Sequence, residues 1–231
     1  MLWKNGQVQG EWILGWRGQC LSAWSEVPAA DSLLGRHAAP WVVEALGRVT
    51  AAFGAAPRWE ILGEASPRRA PSWESAASLL VFTHAFDRGS PVCRGESRHG
   101  VPLYALPLSP AERENLLFWA GEYRHTDSLW LASGALEKAA YRQLADPSSP
   151  LMREGRRLAG HLEERTDRPT YLFVLRYHGR IRGEARRPCP SCGGVWGRRP
   201  GRGPLAAIGE FRGRTLIPRA GSREVPRRRP R

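Results

Sequence analysis

Lysine is almost missing from this chain: Lys4 and Lys138 are its two lysines, and the other thirty-three of its thirty-five basic residues are arginines. That bias follows from a GC-rich coding sequence as readily as from ligand binding. A second scarcity is harder to explain away. Only three acids, Glu184, Glu210 and Glu224, follow Arg168, against sixteen arginines. The chain holds thirty-five basic and twenty-two acidic residues, so Met1–Arg168 balances nineteen against nineteen, and the formal net charge of +13 sits wholly after Arg168. Codon usage accounts for arginine in place of lysine, not for the near-loss of acids. A dense positive field on a short segment is the footprint of a polyanion binder, and nucleic acid is the commonest polyanion. The plain alternative is a disordered basic tail with no dedicated ligand.

Other absences narrow the class. No stretch approaches the ~20 apolar residues of a spanning helix, so no membrane partner is expected. The opening Met1-Leu-Trp-Lys-Asn-Gly-Gln has no apolar h-region, and no signal peptide is expected. Four cysteines, Cys20, Cys93, Cys189 and Cys192, are too few for a disulfide framework in 231 residues, which points to a reduced, cytoplasmic setting. There is no Walker loop, no G-x-S-x-G elbow and no H-E-x-x-H. Gly193-Gly194 and Gly201-x-Gly203 do not follow a strand and open a helix as a nucleotide site requires. His84, His125 and His161 share no spacing; Glu112, Glu114, Glu163 and Glu164 read as solvated helix faces; Asp127 has no evident partner. A non-enzymatic protein is the expectation, with an unfamiliar active site in the neutral body as an alternative. Oligomeric state stays open.

What is present reads as an α+β body. Asn5-Gly6, flanked by Trp3 and Val8, is a strong hairpin signal; Trp12–Leu14 continue the second strand and Cys20–Val27 add a third. Pro40 opens a helix whose Val42, Leu46, Val49 and Phe53 line one face, with Gly54 as its C-cap. Arg58–Leu62 and Leu79–Phe86 read as strands, with a loop over Glu64–Glu74 between them. Ser109-Pro-Ala-Glu112 is a capping box with proline at the first helical position, ahead of Leu116, Leu117, Trp119 and Ala120. Leu129–Leu131 suggests a short strand, Gly134–Leu144 and Leu151–Glu164 two more helices, and Tyr171–Tyr177 a central strand, apolar at nearly every position. The expected organisation is a mixed sheet with packed helices over residues 1–179, a small zinc-ribbon-like basic β segment over 180–220, and a disordered basic tail over 221–231.

The chemistry-bearing feature of the basic segment is Cys189-Pro-Ser-Cys192-Gly-Gly. Two thiolates two residues apart grip one tetrahedral ion, and the glycines allow the tight turn. A structural zinc needs four ligands, and no Cys or His follows Cys192. Cys93 and His99, in the loop-like Ser90–Gly100 stretch, are the best candidates to complete the set; His178, Cys20 or a second copy of the chain are others. Zinc is therefore a candidate cofactor with an incomplete ligand set, and the alternative is a degenerate site that holds no metal. A disulfide-exchange reading of C-x-x-C fails on context, because no helix starts there. Around the knuckle, Arg186, Arg187, Arg198, Arg199, Arg202, Arg212 and Arg214 offer guanidinium forks for phosphate, and Trp196 a face for a base or a plug under the turn. Nothing specifies bases, so sequence-independent binding of DNA or RNA is the leading reading. The runner-up is an interaction module that docks an acidic protein.

Several segments together resemble an uncharacterised bacterial family described as zinc-ribbon-containing, with nucleic-acid binding as its expected activity. They are Trp3-Lys-Asn-Gly-Gln, Ser90-Pro-Val, Val101-Pro-Leu-Tyr104, Pro169–Gly179 and Cys189-Pro-Ser-Cys192-Gly-Gly-Val-Trp196. The resemblance implies a C-terminal ribbon closed by a second cysteine pair. Here the corresponding stretch is Glu210-Phe-Arg-Gly-Arg-Thr-Leu-Ile-Pro218, without cysteines, and Cys93 stands alone where the family's central loop carries a pair.

Overall fold

A computed structural model describes residues 1–63, 72–175, 177 and the strand Arg214–Pro218. The remaining residues, which include Cys189, Cys192 and the arginines around them, lie outside the described residues.

The chain opens with a buried turn over residues 2–6, followed by the antiparallel ribbon β1 (Gln9–Arg17) and β2 (Cys20–Glu26). The hairpin turn is Gly18-Gln19, not Asn5-Gly6. Gly18 takes φ +63 and Arg17 faces Cys20 across a two-residue turn. Asn5-Gly6 does turn the chain, with Gly6 at φ +76, but its surroundings prevent it from joining two strands. The Asn5 amide donates to the Gln7 side chain (2.8 Å) and to the His37 carbonyl (2.7 Å), and its oxygen accepts from Arg113. A Cβ on Gly6 would lie 2.7 Å from that of Leu103. The expected three opening strands are therefore two.

Helix α1 (Pro40–Phe53) starts on its proline and stops at Gly54 in the left-handed region, as its sequence requires. Of its apolar face only Val42 is buried; Val49 and Phe53 stay exposed. Residues 58–62 form no strand: they pair with nothing among the described residues, and Trp59, Ile61 and Leu62 are exposed.

The core lies on a mixed sheet of order β4-β3-β5-β6: β3 (Leu79–Val81), β4 (Val92–Arg94), β5 (Thr170–Leu175) and β6 (Arg214–Pro218). β3 runs parallel to β5 and antiparallel to β4, and β6 runs antiparallel to β5. β5 is central, as its continuous apolar run implies. β3 is shorter than the Leu79–Phe86 run suggests, because the chain turns at His84–Asp87, where the Asp87 N–H donates to the His84 carbonyl.

Helices α2 (Pro110–Leu131), α3 (Glu137–Ala145) and α4 (Pro150–Thr166) pack on one another, and α3 and α4 also pack on β5. The Ser109–Glu112 capping box is present on both sides. Leu129–Leu131 is the last turn of α2 rather than a strand: three apolar residues do not distinguish helix from strand, and no Gly or Pro interrupts the turn before them. Gly155 lets α4 approach α2, since a Cβ there would meet Trp119 Nε1 at 2.9 Å and Leu172 Cδ1 at 3.0 Å. Trp119 is fixed in turn by its Nε1–H bond to the Leu151 carbonyl (3.1 Å). No helix among the described residues is long and apolar enough to cross a membrane.

Candidate nucleic-acid interface

Arg214–Pro218, placed by sequence in the closing hairpin of the ribbon-like segment, is the fourth strand of the body's sheet. Its register sets Arg214 opposite Leu175, the last residue of β5, and Pro218 opposite Tyr171. The chain therefore leaves the sheet after Leu175 and rejoins it beside the same residue at Arg214. Between those two points lie nine arginines and two glutamates. Tyr177, just past the exit, is held by its backbone N–H, which donates to the Tyr141 hydroxyl (3.2 Å), and by an edge contact with Trp130. Arg186, Arg187, Trp196, Arg198, Arg199, Arg202 and Arg212 belong to this excursion and fall outside the described residues, as do Cys189 and Cys192. Arg214 is described as the first backbone unit of β6.

Of the two candidate ligands in the body, Cys93 is buried and His99 is exposed. Cys93 sits on β4 inside the apolar core, 3% exposed, with its thiol donating to the Leu80 carbonyl (3.5 Å). Burial, with a smaller push from Asp87, raises its pKa to about 12, so the thiol keeps its proton. His99 is exposed at the turn that follows, and its carbonyl accepts from the Arg94 N–H. A zinc ligand binds as the thiolate, and in this structure Cys93 presents a protonated thiol to the Leu80 carbonyl inside the apolar core. Among the described residues no cluster of three or more His, Cys, Asp or Glu side chains is arranged to hold a metal.

Sequence reasoning did not find two polar assemblies in the body. The first ties the N-terminal loops to one another and to Tyr104. Gln7 donates to the Ser32 carbonyl (2.8 Å), the Ser32 hydroxyl accepts from Ala29 N–H and meets Tyr104 Oη at 3.0 Å, and His37 stacks on Tyr104. Asp31 takes Arg36 and His37; burial alone would raise its pKa, but those partners hold it below the usual carboxylate range. Ser32 is fully buried, so this network is a clamp and not an exposed nucleophile. Asn, Gln, Ser and Tyr leave no periodic trace, which is why the pattern stayed silent.

The second assembly surrounds a small cavity of about 60 Å³ lined by residues including Trp3, Gly10, Arg88, Ser90 and Arg124. Arg88 is paired with Glu11 (2.9 Å), and Arg124 lies in the field of Asp87. Its cations are thus matched. Asp127, buried on α2, accepts the Ala85 N–H (2.7 Å) and so pins the loop that carries Phe86 and Arg88.

Two uncharacterised proteins of Haemophilus influenzae (strain ATCC 51907 / DSM 11121 / KW20 / Rd) are each 31% identical over 128 residues, or 54% of this chain. The chain covers only 47% of one and 61% of the other. No solved structure matches. Residues 73–175 match the family model described as a domain of unknown function (DUF2310), a stretch that runs from just ahead of β3 to the last residue of β5 and aligns this chain with an uncharacterised bacterial family.

Proposed function

We propose that the chain binds nucleic acid, without regard to base sequence, through the arginine-rich excursion between β5 and β6. The observation that carries the reading is charge segregation: residues 1–168 are neutral and the +13 lies beyond them. Guanidinium forks pair with phosphate oxygens and stack on bases, and such contacts position a strand without reading it. Trp196 is the stacking residue of the reading and Arg186, Arg187, Arg198, Arg199, Arg202, Arg212 and Arg214 the phosphate contacts. Zinc belongs to the proposal through Cys189 and Cys192, which would supply two thiolates to fold the turn between the arginine pairs; Cys93 lies in the apolar core of the body.

The register of β6 decides the form of the test. Truncation after His178 would strip β6 from β5 and open the sheet edge, so loss of binding would be ambiguous. The clean perturbation is Arg186, Arg187, Arg198, Arg199 and Arg202→Gln in the full chain, titrated with salt against labelled single- and double-stranded DNA and RNA. Each phosphate contact contributes about −0.7 to −0.9 to the slope of log K against log salt. The native chain should give a slope of several units, and the variant should lose up to roughly 3.5–4.5 of it. No binding at low salt, or an unchanged slope in the variant, would refute the reading.

A further inference from the structure

β3 and β5 are neighbours and run parallel, with Val81 opposite Leu172, so their carboxyl ends lie at the same end of the sheet. Two connections leave from that end. One is the loop from β3 to β4, which carries His84 and Phe86; the other is the arginine-rich excursion from β5 to β6. Tyr177 lies two residues past Leu175, at the root of that excursion and next to its first arginine, Arg176.

Aromatic rings follow both connections outward. On the β3 side, buried Phe173 meets Phe82 edge-on at 4.8 Å between ring centres, Phe82 meets His84 at 5.8 Å, and His84 meets Phe86 at 6.5 Å. Phe86, at 79%, is the most exposed large apolar side chain among the described residues. On the β5 side, half-buried Tyr141 meets Trp130 at 6.3 Å, and Trp130 meets Tyr177 at 5.2 Å; Tyr177 is 60% exposed. The end of α2 holds both series. Asp127 accepts the Ala85 N–H at 2.7 Å, beside Phe86, and Trp130 follows three residues later on the same helix face. The grip on the loop is on backbone, so any side chain at position 86 would satisfy it. Packing therefore gives no reason to hold an aromatic ring out in water there, where a phenylalanine forgoes its burial.

We propose, resting on the nucleic-acid reading above, that the strand bound is unpaired and that its bases stack on Phe86 and Tyr177 while the excursion rooted beside them takes its phosphates. Binders of single strands join a cationic track to aromatic faces, and every base has a face to offer, so stacking needs no base sequence. Both parts meet at this end of the sheet: nine arginines against two glutamates in the excursion, and two exposed rings at the end of the body that it leaves. A duplex keeps its base faces inside its own stack and could use only the arginines. An acidic protein would likewise meet the arginines, but it brings charge and not planar faces to the rings. The body thus selects for an unpaired strand, which the arginines by themselves do not.

The test is a fluorescence-anisotropy titration of the full chain over a salt series, with labelled strands of equal length: oligothymidylate, oligouridylate, and an abasic deoxyribose-phosphate strand. The abasic strand keeps every phosphate and lacks only the stacking surface. The native chain should hold the base-bearing strands more tightly than the abasic one by roughly fivefold or more per stacked base, with equal salt slopes; the tighter of the two names DNA or RNA as the source. Phe86→Leu keeps an apolar side chain at an exposed position and should lose roughly fivefold or more on the base-bearing strands, nothing on the abasic one, and no slope. Phe86→Trp should keep the native affinity. Tyr177→Ala should behave as Phe86→Leu, with far-UV circular dichroism as its folding control. Equal binding of abasic and base-bearing strands with a steep salt slope, or a Phe86→Leu chain that binds as the native one does, would overturn the stacking proposal and leave the arginine reading standing. Absence of binding to any strand at low salt would overturn both. Rings covered by the chain's own arginines or by a protein partner would show as indifference to Phe86→Leu.

Discussion

Removing the charge of Glu112 should make the chain less stable at neutral pH and leave it nearly unchanged near pH 2. This carboxylate is where α2 is both capped and tied to α4. It accepts the Ser109 N–H at 2.7 Å, completing the capping box, and takes Arg165 from the end of α4 at 2.9 Å. Burial acts to raise its pKa, but the Ser109 bonds and then Arg165 outweigh it and bring the carboxyl from 4.5 to about 2. A fall of that size corresponds to roughly 3 kcal/mol. Arg165 stands more than half in water, which screens its share, so the expected contribution is about 1–3 kcal/mol.

The sign follows from proton binding. Between the folded value near 2 and the unfolded value near 4.5 the unfolded chain binds more protons, so stability rises with pH across that window. The contribution is complete above the upper value and lost as pH falls through the lower one. Glu112→Gln keeps an acceptor for Ser109 N–H and removes only the charge. Urea denaturation of both proteins should show a gap of about 1–2 kcal/mol at neutral pH, since the box survives, closing as pH approaches 2. A gap that stays constant with pH would mean that the carboxylate's ionisation is not what holds the two helices, and the reasoning would fail.

Two further perturbations probe the core. Gly155→Ala puts a methyl 2.9 Å from Trp119 Nε1 and 3.0 Å from Leu172 Cδ1, against a ring already fixed by Leu151. The cost should be about 1–3 kcal/mol, seen as a fall in Tm of about 2–4 °C per kcal/mol; an unchanged Tm would show that α2 and α4 separate more easily than their packing suggests. Cys93 should resist iodoacetamide in the native chain while exposed Cys20 reacts, with or without chelator, because burial and not metal protects it. Chelator-dependent labelling of the Cys93 peptide would restore it as a zinc ligand.

What the sequence displayed most clearly was whatever depends on a short window. The Ser109 box, the proline starts of α1 and α2, and the central place of the strand read at Tyr171–Tyr177, observed as Thr170–Leu175, all follow from local signals and appear in the structure. The misreadings came where a local signal met a distant partner. Asn5-Gly6 turns as it should, but His37, Gln7 and Arg113 claim the asparagine and bury the turn. Residues 58–62 have strand composition and no described edge to join. Cys93 was read in a loop, and β4 carries it into the apolar core instead. The basic excursion was legible as charge, while its attachment was not: nothing in Arg214–Pro218 announces that it pairs with a strand some forty residues earlier.

The two segments beyond the matched core differ from it in opposite ways. The core, residues 73–175, encloses most of its apolar residues, with Phe86, Phe118, Leu129, Leu131 and Leu136 left exposed. The ribbon ahead of it holds exposed apolar surface and little charge; the excursion behind it holds nine arginines against two glutamates. A single surface does not need both. An arginine-rich excursion suits an extended polyanion, whereas a nearly neutral apolar ribbon gives such a partner nothing to hold.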